Sequence, residues 1–402
     1  MAPTWLLTVT GLDAPGIAAA LFDALVPLDV EVEDVEQIQV QGRLLLCVEV
    51  AGHSARDPDE LRRSLESTVA RLPGQVEVAA SVLEPADHSS AGRTEARATQ
   101  HLVTVLGPRL DAGALAGVFG AVARAGGNAD RVVRLSRYPV TSYELVVSGG
   151  ESDRLRRELA AAAAELAVDV AVQRAGLHRR AKHLIVLDAD STLLQGEVID
   201  LLAERAGHAE AVAELTTRAM AGELPFTEAL RQRVSLLAGL DASALEEVSA
   251  ALVLAPGART LLRTLRRLGY VTAVVSGGFT EVVQRIGAEL GIDYVAANEL
   301  EVVDGRLTGE LVGPVVDRAG KAAALRHFAE AAGVPLARTV AVGDGANDID
   351  MLAAAGLGIA YNAKPAVREA ADTALNVPYL DAVLFLLGIP REEIEEADAL
   401  DA

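Results

Sequence analysis

Two aspartates one residue apart, Asp188 and Asp190, follow directly on the apolar run Leu184-Ile185-Val186-Leu187. In a fully extended strand such carboxylates point to opposite faces. Where a strand turns into a loop, both can approach one site, and parallel α/β sheets bind ligands beyond the carboxyl ends of their strands. A helix cap would explain one of these acids and leave the other unexplained. A second strand-like run, Val274-Val275, ends in Ser276-Gly277-Gly278. There glycines let backbone N–H groups approach an anion and the hydroxyl adds a donor, although a plain strand-to-helix turn has the same look. Lys321 opens a helical pattern over 321–331, and alone it would read as a solvated surface charge. A further run ends in Gly343-Asp344-Gly345-Ala346-Asn347-Asp348, with Asp350 close behind. Hard oxygen ligands on a flexible backbone suit Mg²⁺. These four signals supply two acids, an anion cradle, a cation and an acidic patch. A divalent ion would let an anionic carboxylate approach an anionic phosphate that repulsion otherwise holds off. The chemistry implied is phosphoryl transfer to a carboxylate. The Gly-x-x-x-x-Gly-Lys-Ser/Thr loop of nucleotide-dependent kinases is absent.

These residues need a sheet whose strands end side by side. The apolar runs 183–187, 271–275, 339–342 and 357–360 alternate with helical patterns, which predicts a parallel sheet covered on both faces. The stretch 200–258 is helical in pattern and interrupts the sheet after its first strand, as a cap or a long crossover. Residues 300–311 predict a β-hairpin turning at Asp304-Gly305. The amino-terminal half repeats itself: strand-like 6–11 and 102–107 each end at a glycine and lead to helical patterns at Ile17, Leu21, Leu25 and at Leu115, Val118, Val122. Each repeat reads β-α-β-β-α-β. The expected domains are 1–85, a polar linker 86–100, 101–175, a catalytic domain 183–391 with its cap at about 200–258, and a frayed acidic tail 392–402. Residues 174–182 form a basic joint that predicts a short helix.

The 402 residues suffice for two to four domains, with 51% apolar residues to fill their cores. A net charge of −21 argues against nucleic acid and anionic membranes as partners. Cys47 is the one cysteine, so no intrachain disulfide forms, and its apolar neighbours predict a buried strand position. The amino terminus lacks a basic targeting region and no apolar run is long enough to span a membrane, so a cytoplasmic protein is expected.

The joint pattern of Asp188-Ala189-Asp190-Ser191-Thr192, Ser276-Gly277-Gly278, Lys321 and Gly343–Asp348 resembles the four motifs of the haloacid-dehalogenase-like phosphatases, and 183–390 resembles their phosphoserine-specific branch. The resemblance implies a Rossmann-like α/β core with an inserted helical cap. It implies Asp188 as nucleophile and Mg²⁺ ligand, Asp190 as general acid/base with its backbone carbonyl on the metal, Asp344 as a further ligand and Asp348 behind it. It implies Ser276, Gly277, Lys321 and Asn347 on the phosphoryl group. In the cap, Arg233 matches a grip on the substrate carboxylate, Glu197 the partner of its ammonium, and Met220 and Phe226 a closing apolar wall; each would otherwise read as ordinary helix packing or surface charge. The expected reaction is hydrolysis of O-phospho-L-serine, the last step of serine synthesis in this family. The two amino-terminal repeats resemble ACT domains, of ferredoxin-like βαββαβ fold, which bind small amino acids and pair edge to edge. This implies a homodimer or higher homo-oligomer and possible regulation by L-serine. Gly11, Asp13 and Gly16 match the ligand loop in the first repeat, whereas the second departs from it over Gly107–Gly113 with one extra residue. Two other readings stay open: a phosphatase for phosphothreonine or phosphoproteins, and an amino-acid sensor with a vestigial catalytic half.

Overall fold

The computed structural model describes residues 4–28, 30–52, 76–83, 100–176, 179, 181–220 and 223–400. The second helix expected in the first repeat and the linker at 86–100 lie outside them apart from Gln100, as do residues 177, 178 and 180 of the basic joint. The chain divides into two compact units, 1–97 and 98–402.

The first unit holds β1 (Thr4–Leu12), a helix Ile17–Leu25, β2 (Val30–Val40), β3 (Arg43–Gly52) and β4 (Val76–Leu83). Its antiparallel sheet has the order β2-β3-β1-β4. Ile17, Leu21 and Leu25 are buried against Leu7, Val9, Leu44, Leu46, Val48 and Val50. Alternation along β3 sends those even-numbered residues to the helix, so Cys47 falls on the opposite face and is only half-buried, not buried as its neighbours suggested.

The second unit opens with the second repeat: β5 (His101–Gly107), helix Ala112–Arg124, β6 (Gly127–Ser136), β7 (Thr141–Gly149), helix Ser152–Leu166 and β8 (Asp169–Arg174), in sheet order β6-β7-β5-β8. Its Leu106, Leu135, Val140 and Ala171 belong to the same core as the seven-stranded sheet that follows. That sheet comprises β9 (Leu184–Asp188), β10 (Val271–Phe279), β11 (Tyr294–Val303), β12 (Arg306–Val312), β13 (Thr339–Gly343), β14 (Gly358–Tyr361) and β15 (Thr373–Leu375), in the order β12-β11-β10-β9-β13-β14-β15. All neighbours are parallel except β12, the return arm of the hairpin at Asp304-Gly305. Both turn residues have positive φ, 50° and 75°, as a two-residue hairpin requires. Strand β9 is buried throughout: Ile185 and Leu187 serve the core on one face, Leu184 and Val186 the core on the other.

Strand β9 lies between β10 and β13, and the chain winds outward from it in both directions. The carboxyl ends of these three strands therefore form the crevice where doubly wound sheets bind ligands. Four helices, Val198–Ala206, Ala209–Met220, Phe226–Ser235 and Ser243–Ala251, intervene between β9 and the helix Ala258–Arg267 that leads to β10. Their neck is a pair of extended segments joined by Gln195 N–H to Val253 O (2.8 Å) and Ala255 N–H to Leu193 O (2.9 Å). The far side of this cap is tied to the hairpin by Arg306 Nη1 donating to Gly239 O (2.6 Å).

The acidic carboxyl terminus departs from expectation. It is a helix over Arg391–Leu400, not a frayed tail. Ile394 is buried in the main core, Arg391 donates to Asp381 (2.7 Å), and Asp398 accepts from both Arg263 and Arg267 (2.5 Å each). Acidic composition there complements a basic helix face, so charge pairing replaces the missing apolar stripe.

Candidate active site

The loop after β9 shows how two aspartates come to serve one site. Asp188 ends the strand, and Ala189–Leu193 form a wide turn closed by Leu194 N–H to Ala189 O (2.8 Å). Ser191 takes φ 58°, a left-handed conformation that costs a non-glycine residue about 1 kcal/mol or more. That reversal turns the following chain back over the site, where Asp190 faces both β10 and the next helix. Its Oδ2 accepts from the Ser276 hydroxyl (3.1 Å), and its Oδ1 from the N–H of Val198 (2.9 Å), at the start of a cap helix. Ser276 in turn accepts from Gly278 N–H (2.8 Å). A Cβ at Gly278 would stand 2.9 Å from Asp190 Oδ2, so only glycine permits this approach.

Lys321 lies in the first turn of the helix Arg318–Ala331, which Asp317 caps through Gly320 N–H (2.9 Å). It is no surface charge: its side chain is fully buried, with Nζ 2.7 Å from both Asp188 Oδ1 and Asp348 Oδ1. Asp348 is equally buried and accepts a second bond from Gly345 N–H (2.8 Å). Any Cβ at Gly343 would collide with it at 2.4 Å, which explains the glycine before Asp344. Asp344 accepts from the Thr192 hydroxyl (2.8 Å).

Oxygens of Asp188, Asp344 and Asp348 lie within 4.8 Å of one another. Four carboxylates thus crowd around one lysine, an excess of negative charge in a low-dielectric pocket. Burial pushes Asp188 well above the usual carboxylate range; Asp348 and Asp344 add to this and Lys321 opposes it. Burial likewise raises Asp190, against the Val198 N–H, Lys321 and Ser276. Asp344 is pushed up to about 6, by burial first and then by Asp348, with the Thr192 bond opposing. Burial alone would lower Lys321, but Asp188 and Asp348 outweigh it and hold the lysine above its ordinary value. Hard oxygen donors with uncompensated charge fit a divalent cation such as Mg²⁺. The Asp190 side chain stands outside the three-acid cluster, turned to Ser276 and Val198. Asp350, grouped with these acids in the sequence, is half-buried away from them and pairs with Arg318.

On the cap side, Arg233 is buried in the helix Phe226–Ser235 and faces Glu197 (3.4 Å) and the Thr216 hydroxyl (3.3 Å). Burial raises Glu197, with Arg233 opposing and Asp190, Asp200 and Asp344 adding, so this acid senses the carboxylates across the site. The Phe226 ring reaches the core: a Cβ on Gly277 would stand 3.3 Å from it and 3.7 Å from Asn347 Nδ2. Met220 ends the preceding helix, but its side chain lies outside the described residues. The first-repeat residues are exposed or half-buried: Gly11 is paired within β1, Asp13 accepts from Gln39 Nε2 (3.0 Å), and Gly16 starts its helix at φ 95°. In the second repeat Asp111 instead caps the helix through Ala114 N–H (2.9 Å).

Sequence reasoning missed Thr192, Asn298 and Thr216. Buried Asn298 donates to Gly277 O (2.8 Å) and accepts from Val316 N–H (2.7 Å), bracing the glycine loop against the segment that leads to Lys321. Thr192 sits inside the quoted motif, so its neighbours were the available signal; nothing in the sequence marks the other two.

A haloacid dehalogenase-like hydrolase model matches residues 185–353, and ACT domain models match 4–79 and 99–173. A phosphoserine phosphatase of Streptomyces coelicolor is 54% identical over 398 residues, spanning 99% of this chain and 95% of its own. One of Mycobacterium tuberculosis is 51% identical over 399 residues, spanning 98% and 96%. The crystal structure of a probable phosphoserine phosphatase from Vibrio cholerae matches at a TM-score of 0.57 and 34% identity, over 75% of this chain and 90% of that one. Among the described residues no helix is long and apolar enough to cross a membrane. With likeness running through both ACT domains and the hydrolase core, the chain belongs to the phosphoserine phosphatase family of the haloacid dehalogenase-like hydrolases.

Proposed function

We propose that this chain hydrolyses O-phospho-L-serine to L-serine and phosphate through a phospho-aspartyl intermediate on Asp188. The observation that carries the substrate reading is the Glu197–Arg233 pair beside the acidic site. An acid and a guanidinium 3.4 Å apart match the two ends of an amino-acid zwitterion and offer little to a sugar phosphate.

In the first half-reaction an oxygen of Asp188 bonds to phosphorus. The phosphorus–serine oxygen bond breaks, and the Asp190 carboxyl proton passes to the departing oxygen. In the second, water attacks the phosphorus, Asp190 takes its proton, and the bond to Asp188 breaks to free phosphate. Burial suits Asp190 to this alternation because it favours the neutral form that must act first. Lys321, Ser276, Gly277 and Asn347 hold the phosphoryl oxygens in this reading. Asp188, Asp344 and the backbone carbonyl of Asp190 would hold Mg²⁺, with Asp348 supporting them. When bound, the ion supplies the positive charge that lets carboxylate and phosphate meet. Met220 and Phe226 close the apolar side. The same reading includes a cytoplasmic homodimer or larger homo-oligomer, and L-serine as a regulatory ligand at Gly11, Asp13 and Gly16.

Phosphate release from phosphoserine with Mg²⁺, set against phosphothreonine and a sugar phosphate, tests the substrate; equal rates on all three would reject it. Arg233→Ala is expected to raise KM for phosphoserine by about 10- to 100-fold, the worth of a buried hydrogen bond to a charged group. An unchanged KM would remove the zwitterion reading.

Cation binding should depend on pH with a definite sign. Protonated carboxyls cannot ligate, and in the ion-free protein burial and Asp348 push Asp344 up to about 6. The thermal stabilisation given by a fixed Mg²⁺ concentration is therefore expected to be large at pH 7.5 and to shrink steeply below pH 6. Equal shifts at pH 7.5 and pH 5 would exclude these acids as the ligands.

A further inference from the structure

Arg233 has more capacity than its protein partners use. Its Nη1 donates to Glu197 and Thr216, both at the long end of hydrogen-bond range, while its buried Nε has no partner. If substrate binds as a zwitterion, Glu197 must turn its charge toward the ammonium and weaken its hold on Arg233. Something else must then keep the guanidinium in place, because an arginine has four soft side-chain torsions to lose. Thr216 is suited to this. Its hydroxyl donates to Val212 O (3.0 Å), one helical turn earlier, which fixes the rotor and leaves its lone pairs toward Arg233. It belongs to the helix Ala209–Met220, whereas Arg233 belongs to Phe226–Ser235, so the contact also ties two cap helices at the site.

We propose that Thr216 is a specificity-determining positioning residue: anchored by Val212, it holds Arg233 in its carboxylate-binding pose when Glu197 engages the substrate ammonium. The inference rests on the phosphoserine reading above and adds to it the residue that sets the arginine's orientation. Threonine suits the role better than a longer amide, since a hydroxyl that spends its one O–H on Val212 has only acceptor lone pairs left to offer Arg233.

The test compares phosphoserine with O-phosphoethanolamine, which keeps the phosphate and ammonium but lacks the carboxylate. Thr216→Val preserves the shape and removes the acceptor; Thr216→Ser keeps it. For Thr216→Val, KM for phosphoserine is expected to rise about 5- to 20-fold with kcat within twofold of the parent. The ratio of kcat/KM for phosphoserine to that for phosphoethanolamine should fall by the same factor, and Thr216→Ser should restore it. A Thr216→Val enzyme with unchanged KM, or with both substrates impaired alike, overturns the inference and reduces Thr216 to helix packing. Arg233→Ala run alongside separates the two levels. If Arg233→Ala leaves phosphoserine KM untouched, the substrate reading itself fails. If only Arg233→Ala raises it, the positioning role alone is lost.

Discussion

Asp188→Asn is expected to lower kcat for phosphoserine by at least about 10⁴-fold, because a carboxamide cannot form the phosphoryl bond on which both half-reactions depend. The substitution is nearly isosteric, so the turn over Ala189–Leu193 and the hydrogen bond from Ala189 N–H (2.8 Å) can persist. It also removes one of the two carboxylates that Lys321 bridges, leaving the lysine to Asp348. With Asp348 still in place the buried ammonium keeps a counter-charge, and the fold should survive; an Asp348→Asn, Asp188→Asn double variant would lose that protection and destabilise sharply. Single-turnover phosphate release and intact-protein mass after rapid quenching supply the check, and the same mass measurement shows whether asparagine has reverted to aspartate. Turnover within tenfold of the parent, on protein whose asparagine is intact, would reject covalent catalysis at this position.

What the sequence disclosed follows from how local each signal is. Strands β9, β10 and β13 are visible because they are buried on both faces and read as unbroken apolar runs. Strand β15 escaped because three residues, Thr373–Leu375, carry no period. The terminal helix Arg391–Leu400 escaped because its partners, Arg263 and Arg267, are remote in sequence and its one buried apolar residue is Ile394. Aspartates at strand ends were legible as a site, since a strand, a turn and an acid adjoin in the chain. Lys321 was not legible as a buried residue: its burial depends on Asp188 and Asp348, which the fold brings to it from two other strand ends. Asp350 shows the converse, for proximity in sequence to Asp348 grouped it with the site while two further residues along the helix turned it toward Arg318. Asn298 and Thr216 act through one or two hydrogen bonds across elements, and no composition or spacing foreshadows those.

Asp190→Asn should separate the half-reactions that Asp188→Asn abolishes together. Serine is a poor leaving group and needs its oxygen protonated as the bond breaks, so phosphoserine kcat is expected to fall about 10²- to 10⁴-fold, the usual worth of a placed general acid or base. A substrate such as p-nitrophenyl phosphate departs without that proton. Its transfer to Asp188 should proceed, while water on the phospho-enzyme lacks the base that Asp190 supplies. The expected record is a burst of nitrophenolate equal to the enzyme concentration followed by a slow steady state, with a phosphorylated chain found by mass after quenching. Ser276 donates to Asp190 Oδ2, and an asparagine oxygen can still accept that bond; the Val198 N–H can find the same partner only if the amide turns its nitrogen away, so the loop should hold with one contact weakened. The pH profile adds an independent sign. Activity on phosphoserine must decline on the alkaline side as Asp190 loses its proton, and burial moves that decline upward from the ordinary carboxylate range. The variant should lack that limb. A burst absent from Asp190→Asn, together with an unchanged alkaline limb, would show that another group moves the proton and that the bond between Ser276 and Asp190 serves the shape of the loop alone.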